Sequence, residues 1–279
     1  MVLFFAGCGK ENYSMEFNRN MHSTSYTMVN VAQVNAVLTG YSEEICVDFE
    51  DYSPKSDLIT ATAGGLFDLS GKKVLYGKDL YESMNPASLT KVMTCLVALK
   101  YGNFSDRLTV TENALKLESG AQTAGLKPGD SMTLEQALNI MMVCSANDAA
   151  IAVAEHIGGN VNNFCDLMNA EALRIGATHS HFTNPHGLTA DEHRTTAYDL
   201  YLIFNEALKD ERFKSIIAQV AYTTNINDAN GNIKEINVEN TNLFFKGTYS
   251  LPGALTCVGG KTGTTQAAGS CLIIYAIDA

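Results

Sequence analysis

Three short stretches hold residues that could share one chemistry. Ser88-Leu89-Thr90-Lys91 sets a hydroxyl and an amine three residues apart at the start of an apolar run, and on a helix that spacing brings both to one face. A serine alcohol is a weak nucleophile and needs a base beside it. A lysine serves as that base when burial and nearby positive charge lower its pKa, and the positive end of a helix adds to the field. The same four residues also read as a capping serine and a solvated lysine, because short motifs of this kind recur by chance in helices. Against that blander reading, Leu89, Val92, Met93, Leu96, Val97 and Leu99 make the helix apolar almost all round, leaving little water-facing surface for Lys91.

Ser145-Ala146-Asn147 lies between two helical patterns. Alone it reads as a cluster of N-cap residues. Lys261-Thr262-Gly263-Thr264 follows Gly259-Gly260 in a strand-like run. Glycines in a strand point to close approach of a ligand or another backbone, while Lys and Thr offer a cation and a hydroxyl to an anionic group. Alone, this stretch also fits an exposed turn at a sheet edge.

The elements that must position these groups are legible from local patterns. ITATAGGLFDLSGKKVLYGK, from about Leu58, carries two apolar runs around Asp68-Leu69-Ser70-Gly71-Lys72, a hairpin signal. The helix that follows is bounded by Pro86 and Gly102. From about 105 to 210 the chain reads as mainly helical. Thr133 and Gln136 form a capping box before LEQALNIMMVC, and DAAIAVAEHIGG ends at Gly158-Gly159. NNFCDLMNAEALRIG and TTAYDLYLIFNEALKD are two more helices. VAYTTNI and NIKEINVENTN flank Asp228-Ala229-Asn230-Gly231 as a second hairpin, and GGKTGTT and GSCLIIYAIDA are strands. Strands, then helices, then strands predict an α/β (α+β) fold, with a sheet from both chain ends and a helical region inserted between them.

Composition narrows the function. Hydrophobic residues are 46% and charged residues 18% of the 279, an ordinary globular balance. Thirty acidic against nineteen basic residues give a formal charge of −11, which disfavours nucleic acid as a partner. No run of about eighteen apolar residues spans a membrane, and there are no internal repeats or low-complexity tracts. The seven cysteines include no C-x-x-C pair and no zinc-finger spacing to histidine. An odd number argues against a complete disulfide framework. Cys95 and Cys271 sit in apolar runs and read as buried thiols.

Taken together, S-x-x-K, S-x-N and K-T-G in this order, at a helix start, an interhelical loop and a strand, match the motif set of penicillin-binding proteins and class A β-lactamases. The chain resembles the D-alanyl-D-alanine carboxypeptidases, the low-molecular-weight penicillin-binding proteins of serine peptidase family S11. PASLTKVMT, SANDAAIAVAEHIGG, NPHGL, TTAYDL and GGKTGTTQAAGSCL extend the resemblance over about Thr60 to Ala279. It implies a β-lactamase/transpeptidase-like fold and these roles. Ser88 attacks the carbonyl of the penultimate D-alanine, Lys91 takes its proton, and Ser145 relays a proton to the leaving nitrogen. Asn147 orients Lys91 and binds the substrate amide, while Lys261 and Thr262 hold the terminal carboxylate. The backbone N–H groups of Ser88 and Thr264 form the oxyanion hole, which also makes Thr264 a substrate-binding residue. His186, in NPHGL, is expected to serve loop structure rather than catalysis. Neither metal nor cofactor is implied. The expected partners are peptidoglycan stem peptides, with β-lactam antibiotics as acylating inhibitors.

Two rivals remain at this stage. A class A β-lactamase needs a glutamate for its deacylating water, and no Glu-x-x-Leu-Asn lies between Ser145 and Lys261. A penicillin-sensing or peptidoglycan-binding domain that acylates without turnover shares every motif. The opening MVLFFAGCGKENYS resembles the tail of a bacterial lipoprotein signal, with Cys8 after Ala6-Gly7 as the lipidation candidate; it lacks the positive segment and most of the apolar one. The expected location is the bacterial cell envelope outside the cytoplasm, by secretion or through that lipid anchor. Residues 1–57 are expected to be leader, tether and extension, and 58–279 the catalytic domain. Family members continue beyond GSCLIIYAIDA with a strand and a helix, so the sequence reads as truncated at the C-terminus, with a gap in its sheet.

Overall fold

The computed structural model describes residues 45, 46 and 59–278. Cys8 and nearly all of the segment read as leader and tether therefore lie outside the described residues. By contacts the chain divides into two units, and the larger, Asp48–Phe67 with Val74–Ala279, holds all the residues singled out above from Ser88 to Thr264. In the smaller unit, Asp68 closes a tight turn: its carboxylate accepts from Ser70 N–H, Ser70 Oγ and Gly71 N–H at 3.0, 2.7 and 2.9 Å.

A helix with no polar face must be surrounded, and α1 (Thr90–Tyr101) is. Every residue from Thr90 to Leu99 is buried. Around it pack α2 (Leu134–Val143), α3 (Asn147–Gly158), α4 (Val161–Ile175), α5 (Ala197–Ala207) and α6 (Glu211–Ile217). A 3-10 turn, Ala87–Leu89, leads into α1, and Gly102 N–H closes its end on Ala98 O at 2.9 Å. The capping box at α2 forms as predicted, with Gln136 N–H on Thr133 Oγ1 and Thr133 N–H on Gln136 Oε1. Gly159, left-handed at φ +74°, stops α3. Among the described residues no helix is long and apolar enough to cross a membrane.

The strands depart from the sequence reading in one respect. β1 (Gly64–Asp68) with β2 (Lys73–Lys78), and β7 (Leu255–Thr265) with β8 (Gly269–Asp278), form two separate two-stranded antiparallel sheets. No described strand joins the two, and a gap between them is what the sequence reading expects of the sheet from the two chain ends. The hairpin of β5 (Ala221–Asn227) and β6 (Ile233–Glu239) pairs instead with β3 (Arg107–Thr109) and β4 (Ser131–Thr133), in the order β3-β4-β5-β6. β3 and β4 are three residues each, too short for an alternating pattern to reveal inside a region that reads as helical.

Candidate active site

Three elements converge on one cleft of about 1090 Å³, whose lining includes Ser88, Ser145, Asn147, Thr262, Gly263 and Thr264. Ser88 sits in the 3-10 turn and Lys91 one turn on in α1. Ser145 and Ala146 connect α2 to α3, Asn147 opens α3, and Lys261 to Thr264 lie on β7. Neither lysine lines the cleft; each reaches it through a serine. Lys91 is 0% exposed and Lys261 1%.

Lys91 Nζ lies 2.9 Å from Ser88 Oγ, 2.6 Å from Asn147 Oδ1 and 2.7 Å from the carbonyl of His186. All three partners are uncharged. Burial, and then the nearby charge of Lys261, hold the Lys91 amine well below its ordinary pKa. A neutral amine has two N–H groups and one lone pair. With the hydrogens on Asn147 and His186, the lone pair is left for the Ser88 hydroxyl, the arrangement a general base requires.

Lys261 Nζ donates to Ser145 Oγ at 2.9 Å and to Thr262 O at 2.8 Å. Burial pushes its pKa down to about 7. Ser145 is a non-glycine residue at φ +65°, a strained backbone that concentrates at functional sites. Thr262 Oγ1 shares a short hydrogen bond with Thr241 Oγ1. Thr264 is exposed on the cleft, its hydroxyl donating to Gly263 O at 2.8 Å. Gly263 lets β7 close on the nucleophile turn: a Cβ there would lie 2.9 Å from Ser88 N and 3.2 Å from Leu89 N.

The D-alanyl-D-alanine carboxypeptidase model of the S11 peptidases matches residues 50–279. The chain belongs to this family. It is similar to the D-alanyl-D-alanine carboxypeptidase DacF of Bacillus subtilis, 37% identical over 156 residues, covering 54% of this chain and 40% of that one. DacB2 of Mycobacterium tuberculosis is 34% identical over 203 residues, 72% of this chain and 65% of its own. The chain thus spans about two fifths to two thirds of the length of these curated relatives. Among solved structures, the Streptomyces K15 DD-transpeptidase superposes with a TM-score of 0.71 at 28% identity, over 78% of this chain and 86% of that one. A D-alanyl-D-alanine carboxypeptidase of Mycobacterium tuberculosis gives 0.65 at 30%, over 78% and 83%.

In this S11 chain the structure brings together Ser88, Lys91, Ser145, Asn147, Lys261, Thr262 and Thr264, and adds groups that sequence reading missed. The NPHGL loop supplies the His186 carbonyl to Lys91. Asn184 shapes it, accepting from Gly187 N–H at 2.7 Å and donating to Leu188 O at 3.0 Å. The His186 ring is kept neutral, its pKa pushed down to about 3 chiefly by burial; its Nδ1 accepts Leu188 N–H, so the expected structural role fits. Asp148, fully buried, accepts from Ala124, Leu126 and Ala149 N–H groups. Asn147 N–H meanwhile bonds Gln122 O at 2.8 Å. Together these bonds fasten one wall of the cleft to the start of α3. Adjacent polar residues at a helix start were the available signal for Asp148. Thr241 gave none.

Proposed function

We propose that the chain is a serine-type D-Ala-D-Ala carboxypeptidase that removes the terminal D-alanine of peptidoglycan stem peptides through an acyl-enzyme on Ser88. The observation that carries this is Lys91: a fully buried amine, bonded only to uncharged groups, 2.9 Å from a serine hydroxyl that opens on a cleft. Lys91 removes the Ser88 proton as Oγ bonds to the carbonyl carbon of the penultimate residue. The N–H groups of Ser88 and Thr264 hold the oxyanion. Collapse breaks the C–N bond, and the leaving nitrogen takes the Ser145 hydroxyl proton; Ser145 receives in return the proton that Lys91 took from Ser88, while Lys261, donating to Ser145 Oγ, compensates the charge that develops in between. Asn147 holds Lys91 and the substrate amide. The Thr262 hydroxyl holds the terminal carboxylate, and the Lys261 cation, buried behind Ser145, attracts it from beneath the cleft surface, a local positive site on a chain of net charge −11. Water then hydrolyses the ester, and β-lactams acylate the same serine.

On this reading residues 58–279 are the catalytic domain, working outside the cytoplasm on the cell wall, with Cys8 the candidate lipid attachment point. The test is release of free D-alanine from a pentapeptide ending in D-Ala-D-Ala, beside labelling by a fluorescent penicillin. The parent should do both and Ser88→Ala neither. Labelling of Ser88→Ala at the parental rate removes the nucleophile assignment. Labelling of the parent with no D-alanine released overturns turnover in favour of a penicillin-sensing domain.

A further inference from the structure

Behind the nucleophile turn runs a chain of hydrogen bonds that the steps above do not use. His193 is 2% exposed, and its two ring nitrogens face unlike partners. Thr183 N–H donates to Nδ1 at 3.0 Å, so Nδ1 carries no proton and Nε2 does. Nε2–H meets Thr90 Oγ1 at 2.9 Å. The Thr90 hydroxyl, its lone pair so occupied, donates onward to the Ala87 carbonyl at 2.8 Å. The backbone that follows His193 is fixed: Arg194 exchanges two hydrogen bonds with His181 at 2.8 and 3.0 Å, and Thr195 exchanges two with Met84 at 2.8 and 2.9 Å. The Phe182 ring stands edge-on against the imidazole, centroids 5.8 Å apart.

Ala87, where this chain of bonds ends, is a buried alanine at φ +48°. That backbone persists only where its surroundings impose it. Its carbonyl and the Ser88 N–H belong to one planar peptide group, so a bond that fixes the direction of the oxygen also fixes the direction of the N–H. We propose that His193 and Thr90 are positioning residues that aim the Ser88 N–H into the oxyanion hole, acting through the Ala87 carbonyl. This rests on the carboxypeptidase reading of Ser88.

The distinguishing readout is a pair of acyl-donor substrates, an oxoester and its thionoester. The thiono sulfur is a poor hydrogen-bond acceptor and draws little from the hole. Thr90→Val removes the hydroxyl at nearly constant shape. His193→Asn keeps an acceptor for Thr183 N–H but removes the donor to Thr90. Each should slow acylation by the oxoester about 10–100-fold, part of what a lost oxyanion donor costs, with a clearly smaller loss on the thionoester; Thr90→Ser should restore the parental ratio. Equal losses on the two substrates in either folded variant, or no loss in either, overturn the proposal. The parent is a separate control: if it fails to acylate with both esters and with fluorescent penicillin, the carboxypeptidase reading fails, not the positioning role alone.

Discussion

The two buried lysines make opposite demands on pH, and the variants Asn147→Ala and Lys261→Ala should move the profile in opposite directions. On the proposed mechanism, acylation by a carboxylate-bearing penicillin needs Lys91 neutral and Lys261 charged, so its rate against pH should be bell-shaped. The alkaline limb belongs to Lys261, whose charge is lost as pH rises through about 7. The acid limb belongs to Lys91, held well below its ordinary value by burial and by the Lys261 charge. The 2.6 Å bond from Lys91 Nζ to Asn147 Oδ1 stabilises the protonated amine. Bonds to charged groups contribute about 1.5–3 kcal/mol, and a pKa unit corresponds to about 1.4 kcal/mol. Water entering the space left by Asn147→Ala replaces part of that, so the acid limb should move about one unit to lower pH, beneath a reduced maximum. Lys261→Ala removes a like charge from the same cavity. Lys91 then keeps its proton to higher pH, and the acid limb moves up. The assay is the second-order rate of fluorescent-penicillin labelling measured across both limbs. An acid limb that stays put in both variants, or that rises in Asn147→Ala, refutes Lys91 as the base.

Lys261→Ala should also discriminate between substrates. Acylation by donors bearing the terminal carboxylate should fall about 10–100-fold more than acylation by analogues lacking it, in line with the loss of one poorly screened positive charge close to that group; equal losses measured side by side would assign Lys261 to Ser145 alone. Gly187→Ala should destabilise the fold by about 2–5 kcal/mol, because its Cβ would lie 1.8 Å from the Ala87 carbonyl at φ +90°. Thermal unfolding checks this, and a melting temperature equal to the parent's would show that the NPHGL loop can move off the nucleophile turn.

How much of this was legible in the sequence depends on whether side chains or backbone carry it. Ser88, Lys91, Ser145 and Lys261 announce themselves by type, and the apolar residues on every side of Lys91 already implied the burial that its 0% exposure realises. Helix ends were equally plain, since Thr133, Gln136 and Gly159 act through local bonds. The two short strands stayed hidden for a different reason: pairing is decided between distant segments, and β3 and β4 are three residues each. Within the site, what stayed hidden is mostly backbone. The His186 carbonyl on Lys91, the Ala87 carbonyl under Thr90 and the left-handed Ser145 use atoms that every residue possesses, so no residue type marks them. Their trace is indirect. Gly187 is a glycine because the Ala87 carbonyl occupies the space a Cβ would need, and Asn184 is an asparagine whose side chain takes up the loop's free N–H groups. NPHGL therefore encodes the position of a carbonyl through the residues around it, and that position becomes readable only once α1 is seen against the loop.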